Sequence, residues 1–198
     1  MDSEMNNIQS IVTSSIETKQ SLLSNEALLQ TATEVAAVIT EAFRNGKAVF
    51  WCGNGGSAAD AQHLAAEFSG RFYFDRDPLF SEALHVNTSY VTAVANDYSY
   101  DQIYSRLVKA KGREGDVLIG MSTSGTSKNV VKAFEQGQTQ GMTIVAMTGE
   151  TGGTMKDHCD YPLNMPSTDT PRIQECHMLI GHAICELVEE ALFTREAV

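Results

Sequence analysis

The sequence predicts an α/β protein: a parallel sheet of five strands with helices on both faces, a three-layer αβα sandwich preceded by two N-terminal helices. Three observations predict it. Five short apolar runs are spaced along the chain, segments of helical period separate them, and the runs are continuously apolar rather than alternating. Strands buried on both faces read this way, and parallel strands need helical crossovers.

Residues 6–23 and 25–45 read as helices. In the second, Leu28, Leu29, Ala32, Val35, Ala36, Ile39, Ala42 and Phe43 recur near a 3.6-residue period, and Gly46 ends it. KAVFWC (47–52) is the first predicted strand. EALHVN (82–87), DVLIGMS (116–122), TIVAMT (143–148) and YPLNMP (161–166) follow, and Pro162 in the last points to a sheet edge. Helical patterns fill 57–69, 89–96 with 101–111, and 126–139. A long last helix is predicted over 171–193, with Thr170 as N-cap and Pro171 at the first helical position. The first two helices precede the first strand, so they are expected to pack outside the α/β unit and to offer a surface for oligomerisation. No Pro- or Ser-rich linker and no repeat divides the 198 residues. The whole chain, 1–198, is therefore read as one domain, with 1–45 as its N-terminal helices.

Hydrophobic content of 42% with 20% charged residues is ordinary for a globular protein. A net charge of −11 argues against non-specific binding to nucleic acid or to an anionic membrane. A small anion is still allowed, because a loop can hold phosphate with backbone N–H groups alone. The stretch MDSEMNNIQSIV lacks the basic and apolar regions of a secretory signal, and no run of about 18 apolar residues occurs. Cys52, Cys159, Cys176 and Cys185 form no C-x-x-C pair and read as reduced, mostly buried thiols. The expectation is a cytoplasmic protein.

Two loops carry the ligand signal. In a doubly wound sheet, ligands lie outside the carboxyl ends of the strands. GNGGS (53–57) follows the first strand there and opens a helix. Its glycines let the backbone approach a ligand closely, Ser57 can cap the helix with Asp60 as a capping-box partner, and N–H groups at the helix start favour an anion. A P-loop is excluded, since no Gly-Lys-Ser/Thr follows. GNGGSA satisfies a relaxed dinucleotide pattern, but the ribose-binding acid expected at the end of the second strand is missing, for that strand ends in His85-Val86-Asn87. Dinucleotide binding is therefore disfavoured, and a structural turn without a ligand is a further alternative. The second loop, GMSTSGTSKN (120–129), supplies Ser122, Thr123, Ser124, Thr126 and Ser127 around Gly125 at another helix start. Such hydroxyls serve as caps and turn formers, or they surround a phosphate with neutral donors. Two loops of this kind at one sheet edge favour a phosphorylated small molecule.

An acid/base pair lies beside the first loop. His63 and Glu67 are four residues apart on one face of a helix, at the margin of the apolar stripe Ala61, Leu64, Ala65 and Phe68, with Asp60. They read either as a solvated ion pair or as catalytic groups. On the last helix, Ile173, Ile180, Ile184, Leu187 and Ala191 form a core seam that includes His182. Gln174 and His182 lie two turns apart, roughly 12 Å along the axis. They would share one site only with both side chains reaching inward, or from different subunits; alone, His182 reads as a core histidine. A carboxylate and an imidazole suit proton transfer between adjacent sugar carbons, an aldose–ketose isomerisation that needs no redox cofactor. Two His, a Glu and a Gln also form a plausible zinc set, with Gln the weakest ligand.

The segments CGNGGSAADAQHLAAEFSGRF, ANDYSYDQIYSRL, GREGDVLIGMSTSGTSKNVVKA, MTIVAMTGETGG and RIQECHMLIGHAICELVE together resemble the bacterial phosphoheptose isomerases of the sugar isomerase (SIS) domain superfamily, over essentially the whole chain. The resemblance implies a flavodoxin-like five-stranded SIS fold and a homotetramer with active sites at subunit interfaces. It implies conversion of sedoheptulose 7-phosphate, a phosphorylated ketoheptose, to D-glycero-D-manno-heptose 7-phosphate, the first step toward nucleotide-activated heptose. By the same resemblance Glu67 is the base and His182 its acid/base partner. The resemblance also implies one zinc per subunit, held by His63, Glu67, Gln174 and His182. It implies substrate contacts at Asn54, Gly55, Gly56, Ser57, Glu67, Arg71, Asn96, Asp97, Ser122, Thr123, Ser124, Ser127 and Gln174. One departure from the family is Pro171, where many members carry an acidic residue just before RIQE; here Asp169 stands two positions earlier. The family's close relative that binds the bacterial replication initiator is a non-catalytic alternative, but it lacks the matching Glu and His, which this chain keeps. An SIS isomerase or sensor for another sugar phosphate is a third reading.

Overall fold

The structure is a computed structural model that describes residues 2–193; residue 1 and residues 194–198 of the predicted domain lie outside the described residues. Among the described residues, seven α-helices and five strands follow in the order α1 (Asp2–Leu23), α2 (Glu26–Arg44), β1 (Val49–Gly53), α3 (Gly56–Ser69), β2 (Ser81–Ala83), α4 (Thr88–Asp97), α5 (Ile103–Lys111), β3 (Val117–Ser122), α6 (Lys128–Thr139), β4 (Thr143–Thr148), β5 (Tyr161–Asn164) and α7 (Thr170–Leu192). Single 3-10 turns at Tyr100–Gln102 and Met155–His158 complete the set. The strands form one all-parallel sheet in the order β2-β1-β3-β4-β5.

Alternate strand residues feed two separate cores. Val49, Trp51, Val117, Ile119, Met121, Val145 and Met147 pack beneath α2, α3 and α7. Phe50, Cys52, Leu118, Ile144 and Ala146 pack beneath α4, α5 and α6. Every residue of β1 and β3 is buried, as strands covered on both faces require. The three-layer sandwich is therefore built from the apolar runs read in the sequence. Pro162 sits on edge strand β5, where its missing N–H breaks no ladder.

Two expectations about the elements need correction. The N-terminal helices do not both lie outside the α/β unit. Helix α2 buries Leu28, Ala32, Val35, Ala36, Ile39 and Ala42 in the same core as α7 and the sheet, and so completes one layer. Only α1 stands outside, with Leu22 as its anchor and Met5, Ile8, Ile11, Val12 and Ile16 exposed. The second strand is also shorter than predicted. It stops at Ala83 because Asn87 accepts a hydrogen bond from the N–H of Tyr90 (3.0 Å) and so starts α4.

The connection order has a direct consequence for the site. The chain steps from β1 outward to β2, then back across to β3, so β1 and β3 are the neighbours at which the winding reverses. A crevice opens beyond the carboxyl ends of two such strands. The loops after β1 and β3 are the two that the sequence marks.

Candidate active site

Loop 53–57 turns on Gly55, whose φ of 56° lies in the left-handed region and which serves as the N-cap of α3. Ser57 is not the cap, and the capping box with Asp60 does not form. The helix starts one residue before Ser57, which is buried instead, and no side chain caps the helix. The first N–H groups of α3 are thus left to the crevice. Asn54 is fixed from two sides. It exchanges amide hydrogen bonds with Asn129 of α6 (2.9 and 2.8 Å), and its Oδ1 also accepts from the Tyr100 hydroxyl (3.0 Å). The hydroxyl of Tyr104 donates to the Gly53 carbonyl from the core side, where burial pushes its pKa up.

The second loop is a hydroxyl cluster. Ser122 lies 2.9 Å from Ser127 and 3.4 Å from Ser124, oxygen to oxygen, and Ser124 lies 2.9 Å from Thr126. Gly125, at φ 66°, packs on the backbone of Gly152 and Gly153, and its carbonyl accepts from the N–H of Met155 (2.9 Å). The Thr123 carbonyl accepts from Gly149 (3.1 Å). The loop is thereby anchored through its backbone while its hydroxyls bond one another and, at Ser124, accept from the N–H of Thr126 (3.3 Å), an arrangement of neutral donors suited to an oxyanion.

Helices α3 and α7 lie side by side and bring the acid/base groups together. Nε2 of His63 is 2.9 Å from Oε1 of Glu67 and 3.1 Å from Nε2 of His182. One ligand atom from each of the three lies within 4.8 Å of the other two. His63 is exposed, while Glu67 and His182 are half-buried. His182 is therefore no core histidine: it sits at the edge of the seam and faces α3. Two imidazole nitrogens and a carboxylate oxygen converging on one point form a donor set that suits Zn²⁺.

Gln174 lies at the other end of the same helix pair. A Cβ built on Gly56 would stand 2.5 Å from its Nε2, so glycine at 56 is what lets the amide approach the first loop. Between Gln174 and the α1 side is a cleft of about 550 Å³ lined by Lys19, Asp60, Pro171, Gln174, Glu175 and Met178. One oxygen of Asp60 is buried there without a hydrogen-bond partner; burial raises the carboxyl pKa, and His63 offsets this in part. Asn96 and Asp97 close α4, exposed, with the Asn96 amide donating to Asp97 (2.9 Å). Arg71 is exposed on the turn that leaves α3. Among the described residues, no hydrogen bond or ion pair ties these three to the loops. The N-cap of α7 is Asp169, not Thr170, because Thr170 is already helical, and Pro171 occupies the first turn.

Tyr100 and Asn129, which hold Asn54, are not legible as site residues in the sequence; an isolated Tyr and Asn give no local signal. The Arg76–Glu189 pair beneath the site is equally hidden, since its partners are 113 residues apart.

A family model for the SIS domain matches residues 13–149. A phosphoheptose isomerase of Aneurinibacillus thermoaerophilus is 51% identical, with 96% of both chains covered. One from Clostridium acetobutylicum is 48% identical over 95% of this chain and 96% of its own. Among solved structures, the phosphoheptose isomerase of Neisseria gonorrhoeae superposes with a TM-score of 0.88 at 38% identity, covering 94% of this chain and 98% of that one. The Francisella tularensis enzyme gives 0.89 at 34% identity, with the same coverage. Together with the switch-point loops and the His63–Glu67–His182 cluster, these matches establish that the chain belongs to the phosphoheptose isomerases of the SIS domain family.

Proposed function

We propose that the chain is an aldose–ketose isomerase that converts sedoheptulose 7-phosphate to D-glycero-D-manno-heptose 7-phosphate, the first step toward nucleotide-activated heptose. The observation that carries this reading is the convergence of Glu67 and His182 from two helices, one of which, α3, starts from the first of two loops at the switch point. The hydroxyls of Ser122, Thr123, Ser124 and Ser127, with the N–H groups of residues 55–57, hold the phosphate. Asn54, Gln174 and, from the rim, Arg71, Asn96 and Asp97 contact the sugar.

The proton transfers balance without a redox cofactor. Glu67 removes a proton from C1 of the ketose, and the C–H electrons form the C1=C2 double bond. His182 gives a proton to the C2 oxygen as its carbonyl is lost, leaving an enediol. Glu67 then returns its proton to C2, and His182 takes the proton from the C1 hydroxyl as the aldehyde forms. His63, Glu67 and His182 would hold one zinc ion per subunit, a Lewis acid that stabilises negative charge on a sugar oxygen when bound; Gln174, at the other end of the helix pair, would join them only from a neighbouring subunit. The exposed apolar residues of α1 support assembly into the family's homotetramer, in which a neighbouring subunit would close the rim. A phosphorylated metabolite as substrate fits a cytoplasmic location. No helix among the described residues is long and apolar enough to cross a membrane.

The test is a substrate panel on the zinc-loaded protein, followed by NMR. Sedoheptulose 7-phosphate should give the aldose, and unphosphorylated sedoheptulose should react far more slowly. Equal rates on both would remove the phosphate loops from the reading, and no aldose from either would overturn it.

A further inference from the structure

We propose that the buried Arg76–Glu189 pair is a positioning device that locks the C-terminal end of α3 to α7, so that Glu67 and His182 present to the same point. The inference rests on the isomerase reading above. Helix α3 carries His63 and Glu67; α7 carries His182. Their mutual register therefore sets the site. In its middle the register is fixed by Gly181, where a Cβ would collide with the buried side chain of Leu64. Beyond Glu67, α3 soon ends at Ser69 and the chain enters residues 70–80, which hold no helix or strand.

The pair lies at that exit. Side-chain exposure is 2% for Arg76 and 1% for Glu189. One carboxylate oxygen of Glu189 accepts from the Phe72 N–H (3.0 Å) and from Nε of Arg76 (2.8 Å). The other accepts from the N–H groups of Tyr73 (2.6 Å) and Phe74 (3.1 Å). Arg76 then turns its remaining nitrogens on the end of α3. Nη2 donates to the carbonyl of Glu67 itself (2.8 Å), and Nη1 to those of Phe68 (2.9 Å), Gly70 (3.2 Å) and Asp77 (3.0 Å). A cation on the last carbonyls of a helix satisfies groups the helix cannot. Here it also ties the backbone of the proposed base to a residue of α7 two turns beyond His182. The same segment carries Phe72, whose ring lies 5.8 Å from the His182 ring at 32°. Both members of the acid/base couple thus touch one latch, Glu67 through its carbonyl and His182 through Phe72.

A buried ion pair is weak as a source of stability, because desolvation offsets the attraction. Its value here is directional: the Glu189 carboxylate holds four donors while the planar Arg76 guanidinium holds four carbonyls, a fan of contacts an ammonium cannot make. Two variants of the full-length protein test this, Glu189→Gln and Arg76→Lys. Both are studied at a temperature where circular dichroism shows them folded. Each should lower kcat about tenfold or more with KM for the sugar phosphate within twofold. Each should also lower retention of zinc against a competing chelator by about tenfold, the scale on which supporting residues act, and shift the His182 ring resonances in NMR. A fall in Tm with kcat, zinc retention and the ring resonances unchanged would make the pair merely structural and overturn the proposal. Should the wild type fail to isomerise any sugar phosphate, the functional reading falls, while zinc retention and the His182 resonances still decide this one.

Discussion

Nε2 of His182 stands 3.1 Å from Nε2 of His63, although 119 residues separate them. Two imidazole nitrogens that face each other this closely cannot both carry a proton; one donates, or both turn lone pairs to a shared cation. With Glu67 Oε1 2.9 Å from His63, the second arrangement is well provided for. His63→Ala removes one of three converging donors and leaves α3 otherwise intact. Its zinc content should fall from near one per chain to near zero after dialysis, measured by elemental analysis. Equal zinc in wild type and variant would remove His63 from the metal set.

The hydroxyl loop should govern binding of the phosphate rather than chemistry. Ser124 is exposed and bonds to Ser122 and Thr126. A hydrogen bond to a charged group is worth about 1.5–3 kcal/mol, or roughly tenfold to a hundredfold. Ser124→Ala should raise KM by about tenfold, weaken inhibition by inorganic phosphate in parallel, and leave kcat within a few-fold. A fall in kcat alone would place Ser124 in the chemistry instead.

Gly125 is held in the left-handed region against the backbone of Gly152 and Gly153, with no room for a Cβ. Gly125→Ala should distort the hydroxyl loop and cost at least a tenfold rise in KM, together with a lower Tm. Gly46, which also has positive φ but where an added Cβ would meet nothing within 4 Å, is the control. Gly46→Ala should cost about 1–2 kcal/mol of stability and no activity.

Stability should fall in acid from two buried groups. His177 is fully buried, its Nε2 lies 3.2 Å from the Thr148 carbonyl, and burial lowers its pKa to about 4. The unfolded chain, with an ordinary pKa near 6.5, then binds the extra proton. His177 therefore costs nothing above about pH 6.5, and stability declines as pH falls toward 4, by about 3 kcal/mol in all. Burial alone would raise the pKa of Glu189, but the N–H groups of Tyr73, Phe72 and Phe74 with Arg76 bring it below the usual range. Its contribution is present above an unfolded value near 4.3 and is lost as pH falls through the lower folded value. Urea unfolding at pH 7.5, 5.5 and 4.5 should show the decline, and His177→Gln should flatten it between 6.5 and 4.5. Glu189→Ala, which leaves Arg76 buried without its partner, should cost about 3–5 kcal/mol at pH 7.5.

What is legible in the sequence, and what is not, divides by distance along the chain. The strands, the helices and both loops are local signals: continuous apolar runs, a 3.6-residue period and clustered Gly, Ser and Thr. The His63–Glu67 contact is local too, a single helical turn. That His182 completes the cluster depends on the pairing of α3 with α7, which no periodicity contains; its place beside Ile180 and Ile184 suggests the core. Helix α2 is misplaced by its sequence for the same reason. Its apolar face is evident, but what it faces is set by α7 and the sheet. The cap of α3 departs from its sequence signal because a glycine at positive φ starts the helix before Ser57 can cap it.

On the proposed function, Glu67 and His182 carry the proton transfers of a ketose–aldose isomerisation. The most direct measurement follows the aldose signal by NMR when zinc-loaded wild type, Glu67→Gln and His182→Gln are given sedoheptulose 7-phosphate at equal folded concentration. Wild type should produce the aldose, and each variant should do so about a hundredfold more slowly or worse, the scale of a lost general acid or base. Wild-type rates from both folded variants, or no aldose from the wild type, would contradict it.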